Sequence, residues 1–133
     1  MSESLALLVL RVGVGVQLAA LHGWDKIANF SAMKDTFLDP LGIGSPISLC
    51  LAIVGQFVCV VAVGLGLFTR LTAIPIVATM GVAVFVHHAN DPWDKKELAL
   101  MYMIAYLAIT LLGPGNYSID RRLQLRKQKA KKA

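Results

Sequence analysis

The chain has 133 residues, of which 56% are hydrophobic and only 16% are charged, against about 25% charged residues in soluble proteins. This composition argues against a disordered segment, a nucleic-acid-binding module and a highly charged soluble domain, and the length allows one domain. The net charge of +5 is unevenly spread, because residues 113–133 hold seven Lys or Arg and one acid, whereas residues 1–112 hold six and seven. The basic excess is therefore a C-terminal tail on a nearly neutral apolar body.

Four apolar stretches are candidates to cross a membrane as helices, at about residues 5–22, 47–68, 71–88 and 96–112. About 18 or more apolar residues suit a transmembrane helix. A soluble helical bundle would need a polar stripe along each helix, and the second stretch has no charged residue and few polar ones. The first ten residues contain no Lys or Arg, so the first stretch is predicted to stay as a span rather than to be cleaved as a signal peptide.

Short breaks between these stretches predict how the helices connect. Thr69-Arg70 is a turn short enough to make the second and third helices antiparallel neighbours. Gly113-Pro114-Gly115 ends the fourth stretch, with Gly just past the end and Pro after it. The sequence therefore predicts an all-α fold, an integral membrane antiparallel bundle of four transmembrane helices within residues 1–120, followed by a basic tail at 121–133.

The distribution of basic residues predicts an orientation. Four spans place both termini on one side, together with Arg70 and the tail, and leave four lysines on the other side: Lys26, Lys34, Lys95 and Lys96. The positive-inside rule then makes both termini cytoplasmic. The tail is interpreted as a topology anchor or as a segment attracted to anionic membrane lipids. No nucleic-acid partner is predicted, because no aromatic residue follows Tyr117 in the basic run.

Side chains that suit small-molecule binding gather at the outward ends of the predicted spans: His22, Trp24, Lys26, His87, His88 and Trp93. Two interpretations stay open. Trp and charged residues are common at membrane interfaces, and the same residues could line an outward-facing pocket between helices. No metal site is predicted, because the adjacent His87 and His88 point about 100° apart on a helix and no H-x-x-x-H or C-x-x-C spacing occurs.

Arg11 lies inside the first span, where a charge is costly and usually faces the bundle interior with a partner. Helical spacing puts Arg11 and His22 on one face, about 16 Å apart along the axis. Gln56, in the middle of the second span, is a candidate partner. The alternative is that the long side chain of Arg11 reaches the cytoplasmic interface. Tyr102 shares a face with Tyr106 and is interpreted either as a core residue or as part of a quinone site.

Several segments together resemble the DoxX family. They are Leu10-Arg11 opening a Gly-bearing helix, His22-Gly23-x-x-Lys26, Gly64–Arg70 with Leu71-Thr72-Ala73, a histidine before an acidic loop, and Gly113-x-Gly115-x-x-Ser118-x-Asp120. The resemblance spans residues 5–122. It implies a four-helix protein of the bacterial inner membrane, associated with membrane-bound oxidoreductase complexes. One position departs, since Gln56 stands where the family often has Glu and can hydrogen-bond but cannot ionise; a proton relay through it is not expected.

Two functions stay open. The first is a membrane subunit of a quinone-linked oxidoreductase complex, with ligand-binding candidates Arg11, His22, Trp24, Lys26, Gln56, His87, His88, Trp93 and Tyr102. The sequence has no haem, flavin, iron–sulfur or metal motif, so any redox activity would depend on a bound quinone or a redox partner subunit. The second is a non-enzymatic scaffold or a small-solute permease, which would also use an intramembrane Arg. Self-association into a homo-oligomer through the Gly-bearing helices is a further expectation.

Overall fold

The structure, a computed structural model, describes residues 1–133. It is all-helical with no strand, so the predicted all-α class is confirmed. Six helices follow one another: α1 (Ser2–Ala28), α2 (Phe30–Met33), α3 (Ser45–Leu65), α4 (Thr69–His87), α5 (Trp93–Leu112) and α6 (Ile119–Lys132).

Three of the long helices, α1, α3 and α4, are long and apolar enough to cross a membrane. α5 has 20 residues, but its first turns carry Asp94, Lys95, Lys96 and Glu97, which leaves only residues 98–112 uncharged. Fifteen residues span about 22 Å as a helix, somewhat less than the ~30 Å hydrocarbon layer. Large apolar side chains are exposed on all four long helices; examples are Val9, Val58, Ile74 and Leu107.

The interior of the bundle is a compact apolar cluster contributed by all four long helices. Its fully buried members include Leu18 of α1, Val63 of α3, Ile76 of α4 and Tyr106 of α5. α4 packs along α5 more extensively than any other helix pair. This cluster fixes the four helices relative to one another, and the two ends of the bundle then differ in what the loops bring together.

The N-terminus, the α3–α4 turn and the segment after α5 meet at one end of the bundle, called here the terminal end. Ser4 Oγ accepts a hydrogen bond from the Asn116 amide at 3.3 Å, and the Gly66 carbonyl accepts one from the Asp120 amide at 2.9 Å. The opposite end, called here the loop end, carries the segments at 29–44 and 88–92. Both chain termini therefore lie at the same end of the bundle.

The turn between α3 and α4 depends on residues at both of its sides. α3 ends at Leu65, three residues before the predicted limit of the second span, because Gly66 adopts a left-handed conformation with φ 73°. Asp120 then caps α4, since its carboxylate accepts hydrogen bonds from the Phe68 amide at 2.7 Å and from the Thr69 amide at 2.9 Å. The α3–α4 turn is thus held by a residue that lies 51 positions further along the chain.

The basic tail is a helix, α6, although no helix is predicted for it above. Ser118 caps α6 by accepting a hydrogen bond from the Arg121 amide at 3.2 Å. Residues 122–132 of this helix are exposed. Its first residues are fixed to the terminal end through Ser118 and Asp120, so the basic helix starts at a defined place rather than trailing from the bundle.

Candidate functional site

A cavity of about 930 Å³ lies between α1, α3, α4 and α5 at the loop end. This volume is at the upper end of the range of small-molecule pockets. Most of the lining is apolar, with side chains such as Leu18, Ala52, Met80 and Leu98. The lining also includes residues between 33 and 41 of the segment that joins α2 to α3, so this connection closes part of the cavity.

Asp39 fixes the connecting segment against the start of α3. Its Oδ1 accepts hydrogen bonds from Ser48 Oγ at 2.8 Å and from the Ile43 amide at 3.0 Å, and its Oδ2 accepts one from the Gly44 amide at 2.8 Å. The bond from Ser48, followed by that from Gly44, holds the pKa of Asp39 below its ordinary value of 3.8. The carboxylate form of Asp39 is therefore the form that the loop stabilises.

Six of the nine candidate side chains line this cavity: His22, Lys26, Gln56, His87, His88 and Tyr102. The other three candidates, Arg11, Trp24 and Trp93, do not line it. Trp24 packs on Phe57 with 6.3 Å between ring centroids, and Trp93 lies beneath the Lys96 ammonium, which is 5.6 Å from its ring centroid. Both indoles are largely exposed beside the cavity.

Three π-helical segments surround the cavity, one in each of α1, α3 and α4: Ala19–Gly23, Val54–Val58 and Ala83–His87. Each contains one polar lining residue, namely His22, Gln56 or His87. π-bulges in helices are rare and frequently occur at functional sites. Because a π turn takes in one extra residue, it redirects the side chains around it, and no sequence pattern announced these three segments.

Gln56 is a buried polar residue of the cavity wall. It is 8% exposed, and its Oε1 is buried with no hydrogen-bond partner. An unpartnered buried polar atom costs about 1–3 kcal/mol, so a hydrogen-bond donor that reaches this oxygen from the cavity would be stabilised there. The predicted pairing of Gln56 with Arg11 is wrong, because Arg11 lies at the other end of the bundle.

Other polar groups of the cavity lie on α1 and α5 and around the end of α4. The His22 ring meets the Tyr102 ring edge-on, with 5.8 Å between centroids. Lys26 Nζ donates to the His22 carbonyl at 3.2 Å. The His87 and His88 rings also meet edge-on at 4.5 Å.

His88 is tied to the short loop between α4 and α5. Its Nδ1 lies 2.7 Å from the Asp91 carboxylate, and this hydrogen bond lowers the pKa of Asp91. No three His, Cys, Asp or Glu side chains are grouped closely enough to hold a metal ion.

Arg11 is fully buried at the terminal end, with 0% exposure. Its Nη2 donates to the Tyr117 carbonyl at 2.6 Å, and its Nη1 donates to the carbonyls of Val63 at 3.1 Å and Gly64 at 3.4 Å. No carboxylate lies within 4 Å of the guanidinium. Arg11 therefore faces the bundle interior, as predicted, but its partners are backbone carbonyls at the terminal end and not Gln56. The intramembrane charge that suggested a transport path is thus used to join helix ends.

These features define a class: a small all-helical membrane protein with a polar-tipped cavity between its helices at one end. The family model described as DoxX matches residues 6–89, and the chain belongs to the DoxX family. It is 28% identical over 125 residues to "Inner membrane protein YqjF" of Escherichia coli (strain K12), covering 91% of this chain and 94% of that protein. It is 29% identical over 130 residues to "Inner membrane protein YphA" of the same organism, covering 87% and 89%. No solved structure matches the chain.

The relatives' names and the three apolar helices support a location in the bacterial inner membrane. The family match covers α1, α3 and α4, which are the helices that carry the three π-helical segments. Two residues that hold the terminal end lie outside the matched range: Tyr117, which accepts a hydrogen bond from Arg11, and Asp120, which caps α4.

Proposed function

We propose that the chain is a membrane subunit of a quinone-linked oxidoreductase complex, and that the cavity at the loop end binds the quinone head group. The observation that carries this proposal is the buried, unpartnered Oε1 of Gln56 in the wall of a largely apolar cavity, an acceptor that suits a ring hydroxyl of the reduced quinone. A quinone has an apolar ring with two carbonyl acceptors. The amide of Gln56 can donate to such a carbonyl and can accept from the hydroxyl of the reduced form.

The other polar lining groups fit the same ligand. His22 and Tyr102 lie together on one side of the cavity, where imidazole N–H and phenol O–H groups can donate to a second carbonyl. Apolar residues on α3, α4 and α5 would enclose the ring. A bound quinone would supply the two-electron chemistry, and this chain's residues would bind and orient it while a partner subunit delivers or removes electrons.

The experiment is a binding titration of the full-length protein in an uncharged detergent, with decylubiquinone as the probe. The Trp93→Phe variant leaves Trp24, which packs beside the cavity on Phe57, as the single tryptophan. We expect saturable quenching of its fluorescence. Gln56→Leu should weaken binding about tenfold, which corresponds to about 1.4 kcal/mol.

The matched control is Gln17→Leu, because Gln17 is an exposed glutamine of α1 that does not line the cavity. Its affinity should equal that of the parent. Absence of saturable binding, or equal affinities for the Gln56 and Gln17 variants, would overturn the proposal.

We also infer a membrane topology in which α5 crosses with α1, α3 and α4 and both termini are cytoplasmic. The α4–α5 packing and the shared end of the two termini support an even number of crossings. Arg70 and the basic α6 lie at the terminal end, which the positive-inside rule makes cytoplasmic, where α6 can contact anionic lipid head groups. Alkaline phosphatase is active only outside the cytoplasm, so it should be inactive when fused after Ala133 and active in the 88–92 loop. The reverse pattern would invert this topology.

A further inference from the structure

The charges around the cavity are of one sign. None of the 26 lining residues is Asp or Glu, although six acids occur in the helix ends and loops of the same end: Asp25, Asp35, Asp39, Asp91, Asp94 and Glu97. Two lysines, Lys26 and Lys95, do line the cavity, together with the three histidines. Three of these carboxylates lie close to lining residues, since Asp39 accepts a hydrogen bond from Ser48, Asp91 contacts His88, and Asp25 is near enough to Lys26 to interact with its charge. None of the six forms part of the cavity surface, whereas two ammonium groups do.

Lys26 is the cation placed to act on a ligand. It is half-buried on α1, one turn beyond His22, whose carbonyl accepts one hydrogen bond from Nζ at 3.2 Å. An ammonium group has three donors, so two are left over. Lys95 is exposed and lies at the start of α5, which makes it a rim charge. His88 is already occupied by Asp91 at 2.7 Å.

A charge of this kind in an apolar wall calls for a counter-charge from the ligand. Attraction between unit charges strengthens several-fold when water is excluded, and the walls of the cavity are largely apolar. A neutral ligand would leave the Lys26 ammonium without an acidic partner among the lining residues.

Resting on the proposed function of the cavity as a small-molecule site, we propose that its ligand is an anionic amphiphile: an apolar body whose head carries one oxyanion, held by Lys26. This chemistry has two sources, a quinone with an ionised ring hydroxyl and a long-chain carboxylate. In either case the oxyanion lies near Lys26, and the apolar part lies against side chains such as Ala52, Met80 and Leu98.

The test compares matched charged and neutral probes on the full-length protein in uncharged detergent at pH 7.5. One pair is 2-hydroxy-1,4-naphthoquinone, which is ionised at this pH, and its uncharged 2-methoxy analogue. The other pair is decanoate and decanol. We expect each anion to bind at least tenfold more tightly than its neutral partner. Lys26→Gln should remove this preference and change the affinity for the neutral probes less than twofold, whereas Lys26→Arg should retain the preference.

Lys96→Gln is the matched control, because Lys96 is adjacent to Lys95 in the chain but does not line the cavity. Its ammonium lies over the Trp93 ring and donates to the Ala89 carbonyl. The Lys96→Gln variant should keep the full preference. Equal binding of the hydroxy and methoxy quinones would overturn the anion preference and leave the quinone proposal standing. Binding of decanoate through Lys26 without binding of any quinone would support the anion preference and overturn the quinone proposal. If no probe binds, both fail.

Discussion

Replacing Arg11 by methionine removes a buried guanidinium that joins α1 to the end of α3 and to the segment after α5. Three carbonyls lose a hydrogen-bond donor. The Val63 carbonyl still accepts a hydrogen bond from the Gly66 amide at 3.0 Å. The Tyr117 carbonyl, at 2.6 Å, loses a short bond to a charged donor, and that of Gly64, at 3.4 Å, loses a weaker one. Hydrogen bonds to charged groups contribute about 1.5–3 kcal/mol each, so we expect a loss of about 3 kcal/mol.

For a chain of this size, that loss corresponds to a decrease of about 10 °C in Tm. The measurement is thermal unfolding in detergent, followed by circular dichroism at 222 nm. Arg11→Lys keeps the charge but lacks the planar fork of donors, so its Tm should fall between those of Arg11→Met and the parent. Val12→Met is the control, since Val12 is an exposed neighbour of Arg11. A Tm for Arg11→Met within about 2 °C of the parent would refute the structural role of these bonds.

Two further predictions concern the cavity. Gly23→Ala should lower the free energy of unfolding by about 1–3 kcal/mol, because a Cβ at this position would collide with the Gln56 carbonyl. Gly13→Ala is the control and should not lower it, because a Cβ there would have no atom within 4 Å. The measurement is chemical denaturation of both variants, and equal stabilities would show that α1 and α3 are not in such close contact. The pKa of Asp39 is lowered chiefly by Ser48, so its stabilising bonds are present above about pH 4 and are lost as the pH falls through the lowered value. Protection factors of the amides of residues 33–44, which correct for the intrinsic pH dependence of exchange, should therefore fall below about pH 4 in the parent but show no such transition in Asp39→Asn. Protection factors that stay constant with pH in the parent would contradict this.

The helices and most of the cavity residues follow from local patterns, whereas the partners of Arg11 do not. Apolar stretches and a Gly at a helix end are read from neighbouring residues, and six of the nine candidates line one cavity because they occur at the same ends of their spans. Helical spacing correctly indicates that Arg11 faces inward. It does not indicate which residues of α3 lie at the same position along the bundle axis. Arg11 lies beside Val63 and Gly64 and not beside Gln56.

The features that could not be predicted depend on distant residues. The π-helical segments change the direction of side chains without any change in composition. Asp120 belongs to a segment that carries the family resemblance, but nothing near it in the sequence indicates that it caps a helix that begins at Thr69. The place where the tail helix starts likewise depends on the contacts of Asp120 with Gly66, Phe68 and Thr69.

The hydrogen bond between Arg11 and Tyr117 joins residues that are 106 positions apart in the chain. During synthesis Arg11 is made early, and the carbonyl of Tyr117, its nearest acceptor at 2.6 Å, is made 106 residues later. Until then the guanidinium of the first helix has no completed set of carbonyls. The set of carbonyls around Arg11 can therefore be completed only after all four long helices have been made, because Tyr117 follows α5 in the chain.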